Sequence, residues 1–62
     1  MRPDVREQLL YHWVEYLRGN PAALPAWFAL LESADVAPAD REEVRSEAMR
    51  RHEAFEGPLS GP

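Results

Sequence analysis

The sequence predicts an all-α fold, a small antiparallel three-helix bundle. Three observations point to it. Apolar residues recur at helical spacing in three separate stretches, those stretches are divided by short proline- and glycine-containing segments, and no run alternates in the period-two pattern of a strand. Two short connections imply antiparallel neighbours. The expected organisation is a three-helix domain over residues 1–56 and a flexible tail over residues 57–62.

The first helix is expected from Pro3 to Arg18. Proline suits the first helical turn, where its missing N–H would have had no partner, and Asp4 and Glu7 suit the positive end of the dipole. At about 100° per residue, Val5, Leu9, Leu10, Trp13, Val14, Tyr16 and Leu17 sweep half the cylinder. Glu7, Gln8, Tyr11, Glu15 and Arg18 occupy most of the rest. Gly19 supplies a residue able to take a left-handed cap, and Asn20-Pro21 prevents continuation.

The second helix is expected from Pro25 to Asp35, again with proline in the first turn and with a broad apolar face around Trp27, Phe28, Leu30 and Leu31. A helix this short is held by packing rather than by its own propensity. The third is expected from Pro38 to Glu56, starting at Pro38 in preference to a start capped by Asp40 with Glu43 reaching back. Its apolar stripe is one side chain wide: Val44, Ala48 and Phe55, with Arg51 in line. Gly57-Pro58 ends it, and the remaining residues to Pro62 have the composition of a disordered tail.

Composition narrows the classes. Surface scaling gives about 60% of the unfolded surface buried for a chain of this size. That corresponds to on the order of 90 kcal/mol of apolar burial against a similar ordering entropy. A chain of 62 residues therefore has little margin as a monomer. There is no cysteine, so neither a disulfide nor a thiolate metal site can supply the difference. No apolar run is long enough to span a bilayer, and the charged start from Met1 to Gln8 does not read as a signal peptide, so the expected location is the cytoplasm. All seven basic residues are arginine, with lysine, isoleucine and threonine absent and alanine and proline abundant, a usage that suggests a GC-rich, bacterial genome. The net charge of −4 disfavours polyanionic partners.

Chemistry-bearing groups are sparse. His12 and His52 are the two histidines, one on each of two helices, with no Glu-x-x-His or His-x-x-x-His spacing; no metal and no cofactor is expected. Ser33, Ser46 and Ser60 lie outside any glycine-flanked elbow, and no glycine-rich phosphate loop occurs, so no catalytic residue is assigned and no small-molecule substrate is expected. A helix-turn-helix DNA-binding regulator is the alternative, with Arg41, Arg45, Arg50 and Arg51 on the reading helix. Glu42, Glu43, Glu47, Glu53 and Glu56 are interleaved with them at the spacing of self-paired charges, which favours a solvated face instead.

What remains is an imbalance. Two helices are broad-faced and the third is mostly polar, so the three leave apolar surface uncovered. This predicts a small non-enzymatic regulatory or accessory protein that docks to another protein, by default to itself as a homodimer. Leu10, Tyr11, Val14, Phe28 and Met49 are the expected contact residues, Tyr, Phe and Met being types that interfaces enrich. Trp13, Trp27 and Phe55 are assigned to the core. Truncating Trp13 or Trp27 to alanine should cost ~3–5 kcal/mol, and thermal unfolding of the two variants checks the assignment.

Overall fold

The computed structural model describes residues 1–56, with the side chains of Phe55 and Glu56 excluded. The tail from Gly57 to Pro62 and the core assignment of Phe55 lie outside the described residues. Among those described, three α-helices follow one another: α1 over Pro3–Leu17, α2 over Ala23–Ser33 and α3 over Pro38–Glu56. The all-α expectation holds.

Both connections are built from the same device. After α1, Arg18 is the C-cap and Gly19 takes φ +101°. The Gly19 N–H donates to the Tyr16 carbonyl and the Asn20 N–H to the Glu15 carbonyl, each at 3.0 Å. That crossed pair is a Schellman ending, and it satisfies carbonyls the helix leaves open. After α2, Asp35 occupies the equivalent place with φ 53°, donating to Glu32, while the Val36 N–H donates to Leu31 at 3.1 Å. Val36 and Leu31 are both buried in the core, which is the hydrophobic contact such endings usually carry.

This geometry explains where the expected bounds shift. α2 begins at Ala23 rather than Pro25, because the Asn20 side chain accepts from the Ala22 N–H at 3.2 Å and the Asn20 carbonyl from the Ala23 N–H. The turn thus runs directly into the helix. Pro25 sits at its third position, where an N–H would lack a helical acceptor in any case. α2 ends at Ser33 rather than Asp35, since Asp35 is left-handed. α3 starts at Pro38, with the Arg41 N–H donating to the Ala37 carbonyl.

The core collects Val5, Leu9 and Leu10 from α1, Trp27 and Leu31 from α2, Val36 from the turn, and Val44 and Ala48 from α3. α1 is the central element. It packs against both other helices, whereas α2 and α3 meet only weakly. Leu10 must therefore be moved from the contact set to the core: it is 1% exposed. The reason is that a helix covered from two sides has a wider buried arc than one covered from a single side, and Leu10 falls inside it. Trp13 is also displaced, being half-buried rather than enclosed, while Trp27 is 2% exposed.

Two stability outcomes follow. Trp27→Ala should lower stability by ~3–5 kcal/mol, with Trp13→Ala costing distinctly less because part of its ring already meets water. Asp35→Gly should raise the thermal midpoint, corresponding to a gain of about 0.5–1 kcal/mol. It relieves a left-handed non-glycine residue and removes a negative charge from the negative end of α2. A midpoint below that of the parent would contradict this account of the turn.

Candidate functional site

Where α2 and α3 would meet in a closed bundle there is instead a groove of about 410 Å³. Trp13 and Tyr16 of α1 form its floor. Leu24, Trp27 and Phe28 supply the α2 wall, and Arg41, Glu42 and Arg45 the α3 wall. Leu31 and Pro38 close the end nearest the α2–α3 turn.

The groove is a run of rings flanked by guanidinium groups. The Tyr16 and Trp13 centroids are 5.2 Å apart, Trp13 and Trp27 are 4.6 Å apart, and Trp27 meets Phe28 edge-on at 5.4 Å. Four aromatic side chains thus form a continuous strip from α1 across α2. The Trp27–Phe28 pair has the edge-on geometry that ring quadrupoles favour, and the other two pairs are tilted at 45° and 48°. Across the groove, the Arg45 guanidinium carbon lies 5.3 Å from the Trp13 ring centroid, a cation–π contact, and the same side chain pairs with Glu42 at 2.9 Å. Trp13 therefore touches both walls. Phe28 is 53% exposed and stands at the rim. The indole N–H groups of Trp13 and Trp27 are buried without an acceptor among the described residues.

A second, shallower depression of about 280 Å³ lies along α1, with Leu10, Tyr11 and Val14 as its apolar lining. Ion pairs fence it, Glu7 with Arg51 at 3.4 Å and Glu15 with Arg18 at 3.7 Å. The expected contact residues are therefore divided. Leu10, Tyr11 and Val14 come together here, Phe28 belongs to the main groove, and Met49, 51% exposed, lines neither. Sequence reasoning passed over Tyr16, Leu24, Arg41 and Arg45 as groove residues and placed Trp13 wholly inside. The available signal was the i, i+3 spacing of Trp13 with Tyr16 and the i, i+4 spacing of Leu24 with Phe28. A further cavity, of about 730 Å³ between the chain start and the α2–α3 turn, has Arg2, Ser33, Asp35 and Asp40 as its polar lining.

The arginines are engaged within the chain. Arg2 pairs with Asp4, Arg6 with Glu43, Arg18 with Glu15, Arg45 with Glu42, Arg50 with Glu47, and Arg51 with both Glu47 and Glu7. Arg41 alone has no carboxylate partner among the described residues; its Nε donates to the Val36 carbonyl at 3.3 Å. Arg51, which interrupts the apolar stripe of α3, does so to reach Glu7 on α1. Among the described residues no group of three or more His, Cys, Asp or Glu side chains is placed to hold a metal ion, and no helix is long and apolar enough to cross a membrane.

Compared with protein-family models, curated proteins and solved structures, the chain matches none, so function is read from this geometry.

The paired acids give the fold a defined pH response. The bidentate hydrogen bond from Arg6 holds Glu43 below the ordinary carboxylate value of 4.5, and Arg50 followed by Arg51 does the same for Glu47. A lowered folded-state pKa means the stabilisation is complete above the unfolded value and is lost as pH falls through the lowered one. Thermal midpoints should hold steady on acidification to about pH 5 and drop below about pH 4.5. Glu47→Gln should flatten that drop. An unchanged slope in this variant would show that the Glu47 cluster contributes nothing.

Proposed function

We propose that this chain is a non-enzymatic protein-interaction module whose contact surface is the groove between α2 and α3. One observation carries the reading: α2 and α3 are each seated on α1 but meet only weakly, which leaves a groove between them with Phe28 and Tyr16 exposed at its edge and Trp13 half-buried beneath. A groove lined by Trp, Tyr, Phe and Arg has the residue types that dominate binding energy at protein interfaces. Its walls are helices that are themselves fixed by the core, so a partner meets a formed surface and little ordering is required. The size fits one or two anchor side chains of another polypeptide.

The arrangement of charge supports this over duplex DNA as the partner. A reading helix needs arginines free to neutralise phosphates, and Arg45, Arg50 and Arg51 are already matched to acids on the same surface. Releasing them would expose Glu42 and Glu47 to the phosphates. No mobility shift of duplex DNA at physiological salt is the outcome this reading requires.

Docking itself is checked by placing a photo-crosslinking benzophenone residue at position 28 in cells of the native host, with position 53 as control. Adducts should form at 28 and not at 53. Absence of any adduct at 28, or equal yields at the two positions, would remove the groove from consideration.

A further inference from the structure

We infer that the occupant of the groove is a second copy of this chain, held face to face about a two-fold axis near Phe28. This rests on the docking reading above and adds the identity of the partner. The surface is self-complementary. Phe28 projects from the rim of the very groove that would receive an aromatic anchor, so two copies related by a two-fold axis can each insert the ring of one into the groove of the other.

Charge supplies the independent argument. Arg41 lines the groove and is the one arginine among the described residues without a carboxylate partner. Glu32 lies one turn beyond Phe28 on α2, is exposed, and has no cation among the described residues. A two-fold axis that passes Phe28 across to the partner groove carries Glu32 toward the other copy's Arg41. The symmetry then repeats the pair. Each isolated chain thus shows an unmatched cation, Arg41, in the groove wall, and Glu32, like Asp35 and Asp40, has no cation partner among the described residues; association matches Glu32 with Arg41.

The test is sedimentation equilibrium of the purified chain from micromolar to millimolar concentration, with tryptophan emission followed over the same range. The parent should dimerise, and its emission should shift with concentration because Phe28 packs on Trp27 and the groove floor is Trp13. Glu32→Arg and Arg41→Glu should each weaken dimerisation about tenfold or more, since every substitution is felt twice across the axis. The double variant E32R/R41E should return to within about threefold of the parent. Glu32→Arg disturbs no contact among the described residues, and circular dichroism of every variant confirms folding.

A chain that stays monomeric at millimolar concentration overturns the inference, as does a dimer whose strength ignores these charges, or a double variant no tighter than the singles. The mass of the position-28 adduct separates the two readings. A product of about twice 7.1 kDa supports self-association. A heavier or lighter one, with a monomeric pure chain, refutes the second copy and leaves the docking surface standing.

Discussion

Trp13 stands where α2 and α3 would otherwise touch, and the rest of the architecture adjusts to it. Its indole packs on Trp27 from one side and lies under Arg45 on the other, so the ring spans a gap that neither flanking helix closes. A leucine at this place offers neither the width nor the π-face that attracts a guanidinium. The groove thus has one large side chain of the central helix at its base and a wall with few apolar residues: only Val44 and Ala48 of the described α3 side chains are buried.

Since α3 brings so little apolar surface, its attachment to α1 relies on charge to an unusual degree. Arg6 grips Glu43 in a two-pronged contact, and Arg51 reaches back to Glu7. These pairs are exposed, so each is individually weak and sensitive to salt. Their value lies in register. They bracket the Val44–Ala48 contact and oppose rotation of α3 that would turn its acidic face toward the core.

Helix existence and type were readable in the sequence because proline, glycine and helical spacing agree at every boundary of α1 and α3. The bounds of α2 were not. Its start depends on an Asn20 side chain bonding two residues ahead, and its end on Asp35 adopting a conformation that sequence alone assigns more readily to glycine. The candidate site was readable in part. The shortage of apolar surface on α3 is legible in its polar composition, and in the structure α2 and α3 meet only weakly; Phe28, one of the expected contact residues, is exposed. The placement of Leu10 failed because periodicity gives a direction around one helix and not the number of neighbours covering it. Arg41 and Arg45 entered the groove through tertiary geometry, which one-dimensional spacing does not contain.

The weak meeting of α2 and α3 has a consequence for how such a molecule can change over generations. The residues that keep the chain folded face α1, and most of those that line the groove walls face each other across open space. Fold maintenance and recognition therefore share Trp13, Trp27 and Leu31, while the other groove residues lie outside the core. A lineage can rewrite those other positions on the facing sides of α2 and α3, and so trade one binding preference for another, while the central helix and its contacts are inherited intact.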